Sequence, residues 1–312
     1  MRKAIVIGNC QVKSLAFTLN YLCENMHFDH LQVHSLAPSK AQAHLEQRIE
    51  ETKDFDLVLT FNLSDKYYGL AADKIDETYA GRPVLRINNL YFGGYHPDTI
   101  TLGEVGMRMD GVLDQYHSRI ALFGFLEGKT VAETVALFND DTYRAIKYYG
   151  DFAGSSNRML ATDEDVDIKW AGRFVELLSE TRAMFVVNHP APRVFLEWAG
   201  AIVDDLEERG IATRRPWRPA EDMLPHLFSD TAVFPVYPEI VAEHGLPFDG
   251  SYVFKSKGYA GSSFLSLAQF VESEFALFAQ VDRERLEASR QWVAASKRFK
   301  VIRERERAGR VG

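Results

Sequence analysis

With 312 residues, of which 46% are hydrophobic and 12% aromatic, the chain can bury a sizeable core. Its formal net charge of −8 excludes non-specific attraction to nucleic acid or anionic lipid, so an anionic ligand must be met by a local basic cluster. The basic start Met1-Arg2-Lys3 leads into an apolar run that stops at Gly8, too short for a signal peptide, and no stretch approaches the ~18 apolar residues of a membrane span. A reducing cytoplasm is the expected compartment.

The first element is a strand over residues 3–8, where Ala4-Ile5-Val6-Ile7 suits burial on both faces of a parallel sheet. Gly8 permits a sharp turn, and Val12, Leu15, Leu19 and Leu22 then recur at helical spacing over residues 11–24. Asn9 or Cys10 is therefore the expected N-cap, with Cys10 at the positive end of the helix dipole. Free N–H groups there are expected to lower the thiol pKa from about 8.5 to roughly 3.5–7.5, or to hold the oxyanion of an acyl-transfer intermediate. The competing reading makes Cys10 a small residue filling a tight turn. Asn9 and Gln11 weigh against that, because they set two amide side chains beside the sulfur where Ser or Ala would serve a plain turn. Lys13-Ser14 lacks the second glycine of a P-loop, and no G-x-G-x-x-G follows the strand, which disfavours nucleoside triphosphate and dinucleotide sites.

Further strands are expected near 31–36, 55–61 and 83–88, with a helix near 39–52. This alternation predicts a small parallel sheet whose ligands lie at the carboxyl ends of its strands, where Cys10, Asn62 and Asn88-Asn89 fall. Beyond residue 100, helical periodicity covers 112–126, 129–149, 166–182, 193–209, 263–280 and 282–307, with one strand at 183–187 ending in Asn188-His189-Pro190. The fold class is thus an α/β N-terminal subdomain with a small parallel sheet, residues 1–100, embedded in a larger, predominantly α-helical fold, which the family resemblance described below implies to be cradle-like. Residues 101–312 are expected to pack on it as one compact unit. Cys10 and Cys23, 13 residues apart along one helix, would stand roughly 20 Å apart and cannot pair.

Three histidines compete as base. His189 is placed by a stiff turn before Pro190, and His96 lies in a Gly- and aromatic-rich loop, so either can serve Cys10 or an acceptor hydroxyl. His226 falls in a helical stretch and reads as structural. His27, His30 and His34 read as surface residues, since no metal-ligand spacing accompanies them, and no metal is expected. Two segments share the order aromatic-Ala-Gly-Ser-Ser, Phe152 to Ser156 and Tyr259 to Ser263, each expected to precede a helix. Their serines suit N-caps, yet a glycine turn before a helix is also an anion site. Ser155, Ser156, Asn157 and Arg158 in the first, and Lys255, Lys257, Tyr259 and Ser262 in the second, are the candidate phosphate ligands, with Arg193 as a further charge.

Ile7-Gly8-Asn9-Cys10-Gln11, Asn62-Leu63-Ser64-Asp65, Gly94-Tyr95-His96-Pro97-Asp98 and Asn188-His189-Pro190 together resemble the WcbI-type polysaccharide biosynthesis acetyltransferases over nearly the whole chain. That family is similar in its N-terminal part to the SGNH/GDSL hydrolases. The resemblance implies coenzyme A or acetyl-CoA as cofactor, bound with Gly8 and the basic segments in a loop-lined cradle, and O-acetylation of a capsular carbohydrate, alone or beside other polysaccharide biosynthesis proteins. It sets Cys10 where the hydrolases carry their serine and likens Asn62 to their oxyanion asparagine. The chain departs from them in having no clear Asp-x-x-His pair near its C-terminus. Cys10 then either relays the acetyl group, with His189 or His96 as base, or shapes an oxyanion hole with Asn9 and Gln11 while the hydroxyl attacks the thioester directly; the second route is favoured because a thioester is already activated. The alternatives are a Cys-dependent carbohydrate esterase and a non-catalytic subunit of a capsule assembly complex that binds coenzyme A or a sugar nucleotide.

Overall fold

A computed structural model of the protein describes residues 1–33, 38–103, 108–257 and 263–309. Four strands form a parallel sheet in the order β2-β1-β3-β4: β1 (Arg2–Gly8), β2 (Met26–Gln32), β3 (Leu57–Thr60) and β4 (Val84–Arg86). Helix α1 (Gln11–Leu22) follows β1, α2 (Pro38–Thr52) follows β2, and the single turn α3 (Ile75–Thr78) precedes β4. On one face Ile5, Ile7, Leu31 and Val58 pack with Leu45, Leu70, Ile75 and Tyr79, each large apolar side chain contributing about 1.5–3 kcal/mol on burial. Because β2 and β3 flank β1 on opposite sides, the connections diverge at the carboxyl end of β1. Open α/β sheets hold their ligands at such a divergence.

The second strand begins five residues earlier than the apolar run at 31–36 suggests. As an edge strand paired only to β1 it tolerates polar His27, Asp29 and His30. Asn20 pins it from α1, its side chain bonding both the N–H and the carbonyl of Phe28 at 2.8 Å.

The described chain divides into two compact units, both discontinuous in sequence, whereas the sequence reading places one boundary near residue 100. The first gathers Met1–Tyr91, Asn157–Met184 and Asn188–Leu227. Its late segments are recruited by aromatic packing: helix Pro192–Glu208 lies against α1, and Trp198 stacks on Phe61 at 6.0 Å and on Trp170 at 6.1 Å.

The second unit gathers Phe92–Ser156, Phe185–Val187 and Phe228–Gly312. It is largely helical, but the long helices expected there are interrupted. The stretch 112–126 is helical only over Arg119–Leu126, because His117–Ser118 pairs antiparallel with Thr99–Ile100. Within 129–149, Asn139 caps a second start and splits the segment into Val131–Val135 and Asp140–Ala145. In 263–280, Phe264–Leu265 pairs with Phe254–Lys255 before Ser266 caps the helix Leu267–Phe278. Asp282 and Ser289 likewise cut the C-terminal stretch into Arg283–Ala288 and Arg290–Ser296. Capping side chains bond backbone N–H groups that a continuing helix would use, which is why they override the apolar period. No helix among the described residues is long and apolar enough to cross a membrane.

Candidate functional site

The site is built at the carboxyl ends of β1 and β4 within the first unit. Gly8 closes β1, and a Cβ there would lie 2.4 Å from Cδ2 of buried Phe61, the residue that follows β3. Only glycine lets that ring cover the strand end. Cys10 then stands at the N-cap of α1 with αR backbone angles and no side-chain capping bond. Asn9 performs the capping instead: its Oδ1 accepts from the N–H of Gln11 at 3.0 Å, and its carbonyl accepts from Val12 at 3.3 Å. The sulfur of Cys10 is thereby left unspent on the helix.

Three segments meet around that sulfur. Asn9 Nδ2 donates to Asn89 Oδ1 at 2.8 Å, joining the turn after β1 to the loop after β4. Gln11, fully buried, donates from Nε2 to the carbonyls of Leu90 at 2.6 Å and Asn188 at 3.0 Å, and its Oε1 accepts from the N–H of Leu90 at 3.3 Å. Both amide hydrogens of Gln11 are committed, so it is a positioning residue and its expected share in an oxyanion hole falls away. The clasped Asn188 in turn donates from Nδ2 to Cys10 Sγ at 3.8 Å. His189, next in the chain, is buried within the short extended segment His189–Pro190 that leads into the helix Pro192–Glu208.

The thiol behaves opposite to the sequence expectation. Burial pushes the Cys10 pKa up from its ordinary 9.0 to about 12, and the cysteine's own N–H, which favours the thiolate, does not offset it. No neighbouring cation enters that balance. The one side-chain amide shown at the sulfur, that of Asn188, is neutral, and the partial charge of the helix end is too small to outweigh desolvation.

The remaining candidates disperse. Asn62 is exposed and donates to the carbonyl of Asp165 at 2.8 Å. Asn88 is buried and bonded to Thr162, Asp163 and the N–H of Trp170, a structural clamp under the site. His96 belongs to the second unit, edge-on to Tyr95 and Phe234 at about 6 Å. His226 sits in a loop behind Pro225, not in a helix. Phe152 to Ser156 forms no glycine turn; it lies inside the helix Gly150–Ala161, where Ser156 bonds the carbonyl of Phe152 at 3.0 Å, and Asn157 and Arg158 continue that helix. The absence of proline or a local cap leaves the helix unbroken through Gly154. Tyr259 and Ser262 lie outside the described residues, as does His34. Arg193 is ion-paired to Glu197 and Glu180 in a network with Arg173, Lys255 donates to the carbonyls of Ser229 and Thr231, and Lys257 meets Asp114 at 3.2 Å. These cations are not the uncompensated cluster that their sequence positions suggest.

No group of three or more His, Cys, Asp or Glu among the described residues is arranged to hold a metal; His30 instead meets Asp29 at 3.5 Å. Cys10 and Cys23 are free thiols at opposite ends of α1. Sequence reading set Asn89 at a ligand-facing strand end and Asn188 in a motif segment but gave neither a role beside Cys10. Their signal was a run of asparagines directly after two apolar strands, where a parallel sheet presents its ligand-facing loops.

A family model described as polysaccharide biosynthesis enzyme WcbI matches residues 3–210, a span that contains all four strands, Cys10 and Asn188. A solved structure of WcbI, described as a novel polysaccharide biosynthesis enzyme in its native form without a disulfide bond between coenzyme A and a cysteine, is similar in fold with a TM-score of 0.71. The match is 14% identical and covers 96% of this chain and 99% of that one. No curated protein matches the chain.

Proposed function

We propose that this chain, which belongs to the WcbI family of polysaccharide biosynthesis enzymes, is a coenzyme A-binding O-acetyltransferase that moves acetyl from acetyl-CoA to a carbohydrate hydroxyl. The observation that carries the reading is the half-buried Cys10 sulfur, which accepts from the neutral amide of Asn188 beside the joined side chains of Asn9 and Asn89. Neutral amide donors fit the uncharged, polarisable end of a thioester better than they fit a phosphate. Acetyl-CoA supplies an acyl group already activated as that thioester.

Direct attack by the hydroxyl agrees with the protonated state of Cys10, since a thiol with a pKa of about 12 is a poor nucleophile near neutrality. In this reading Cys10 is a neutral wall and weak S–H donor beside the reacting carbonyl. Asn9 has one amide hydrogen beyond its bond to Asn89 and is assigned to the developing oxyanion. His189 is the assigned base, because its neighbour Asn188 is fixed to both Cys10 and Gln11; it takes the hydroxyl proton and returns it to the departing sulfur.

Thermal unfolding with coenzyme A, acetyl-CoA, ATP and NAD tests the first step: a ligand at a hundred times its Kd adds about 2.7 kcal/mol, and only the first two are expected to do so. Acetyl transfer to candidate sugars by wild type, Cys10→Ser and His189→Ala tests the second. Cys10→Ser is expected to keep most of its activity and His189→Ala to lose at least a hundredfold. Acetate release from an acetylated sugar without coenzyme A would replace the reading with the esterase. Tight coenzyme A binding with unchanged acetylation in both variants would favour the non-catalytic subunit.

A further inference from the structure

Both neighbours of Cys10 in the chain are bonded to one short segment, residues 88–91, that follows β4 within the first unit. Asn9 Nδ2 donates to Asn89 Oδ1 at 2.8 Å, and the Gln11 side chain clasps the carbonyl of Leu90 at 2.6 Å and its N–H at 3.3 Å. The segment therefore runs directly beside the cysteine turn. Its burial alternates: Asn88 and Leu90 are fully buried, Asn89 is exposed and Tyr91 is 56% exposed. That is the period of an extended backbone, in which residues two apart share a face and stand about 7 Å from one another. The inward residues fix the backbone, Leu90 through Gln11 and Asn88 through Thr162, Asp163 and the N–H of Trp170. The outward face is thus a rigid pair, one amide and one aromatic ring.

Asn89 spends its oxygen on Asn9, while neither hydrogen of its Nδ2 has a partner among the described residues. Toward a ligand it can only donate. Other exposed aromatic side chains have a different setting: Phe17 and Tyr21 lie on the face of α1, and Trp217 carries the Arg215 guanidinium 5.4 Å from its ring centre. Tyr91 stands one residue beyond the Gln11 clasp, on the segment that flanks Cys10. A pyranose matches this pair, since the C–H groups of its ring face pack on an aromatic ring and the oxygens at its edge accept from an amide. The spacing lets one sugar ring lie on the tyrosine while an edge oxygen reaches Asn89. Resting on the acetyl-transfer reading of the Cys10 site, we infer that Asn89 and Tyr91 are the specificity residues of an acceptor subsite for a neutral pyranose. Tyr91 supports the face of the sugar and Asn89 donates to an oxygen at its edge. Because Asn89 is bonded to Asn9, this hold carries the sugar to the turn that bears Cys10.

Saturation-transfer NMR on the full-length protein with methyl β-glucoside, methyl β-galactoside and sorbitol reads this contact without requiring acetyl transfer. Wild type is expected to saturate the ring C–H protons of a pyranoside and not those of sorbitol, an open-chain polyol with hydroxyls but no ring face. Tyr91→Ala is expected to weaken pyranoside binding about tenfold, and Tyr91→Phe to restore it. Asn89→Asp keeps an oxygen for Asn9 but loses both donors, and is expected to weaken binding by a similar factor. Both side chains are exposed, so the variants are expected to melt with wild type; Tyr91→Leu, which keeps apolar bulk without the ring, repeats the test should Tyr91→Ala not fold. With an acetylated sugar in hand, Tyr91→Ala is expected to raise KM for the sugar and leave KM for acetyl-CoA unchanged. No pyranoside signal from wild type at millimolar concentration, or equal signals in wild type, Tyr91→Ala and Asn89→Asp, overturns the subsite and leaves acetyl transfer standing. Pyranoside binding that depends on both residues, with no acetyl transfer to any sugar, overturns acetyl transfer and leaves the sugar subsite standing.

Discussion

The protonation state of Cys10 separates the two acyl-transfer routes and can be read without knowing the acceptor. Burial moves its pKa from 9.0 to about 12, so below pH 9 the thiolate is about a thousandfold scarcer than for an exposed cysteine. Alkylation by iodoacetamide proceeds through the thiolate, and its rate at pH 7.5 is expected to fall by about the same factor relative to a peptide thiol. The rate is further expected to rise close to tenfold per pH unit from 7 to 10, with no plateau while the protein stays folded. Mass spectrometry of the peptide carrying Cys10 gives that rate separately from Cys23, which is buried at the other end of α1. A plateau between pH 6 and 8 would show an activated thiolate and refute the desolvation reasoning. It would also restore the acyl-cysteine relay as the better mechanism.

Gln11→Ala removes three hydrogen bonds to buried backbone groups, and at about 1 kcal/mol each the expected loss is near 3 kcal/mol in urea unfolding; a loss under about 0.5 kcal/mol would mean water replaces the clasp at no cost. Gly8→Ala drives a methyl into the Phe61 ring, which Trp198 backs by stacking, and is expected to cost about 1–3 kcal/mol with little change elsewhere in the sheet. His117 offers a pH readout: its Nδ1 lies 3.1 and 3.2 Å from the Glu274 carboxylate oxygens and its Nε2 3.0 Å from the carbonyl of Met109. Burial works against the imidazolium, but the Glu274 charge and these hydrogen bonds outweigh it and raise the pKa above 6.5. A proton held more tightly in the folded state stabilises fully below pH 6.5, and that stability drains away as the pH rises through the folded pKa. Unfolding midpoints at pH 6 and pH 9 should differ accordingly. Glu274→Gln should remove much of that difference, and an unchanged slope would exclude the pair as its source.

The sequence by itself determined the local elements whose signals are short and covalent in origin. Ala4 to Ile7 followed by Gly8 could only be a buried strand running into a turn, and the spacing of Val12, Leu15, Leu19 and Leu22 set α1 and put Cys10 at its start. The motif residues likewise carried the family, over a span that the family match covers from residue 3 to 210. Helix lengths in the second unit were less legible, because Asn139, Asp282 and Ser289 cap new starts inside stretches whose apolar period continues unbroken. The tertiary structure alone decided what surrounds the sulfur. Asn188 reaches Cys10 across 178 residues and Gln11 reaches Leu90 across 79, and no periodicity records which distant loops a sheet end will gather. It also decided the charges. A helix N-cap promised a reactive thiolate, yet desolvation depends on the whole enclosure and reversed the sign, while Arg193 and Lys257 found acidic partners. Burial and pairing are properties of neighbours in space, and those neighbours exist only once the chain has folded.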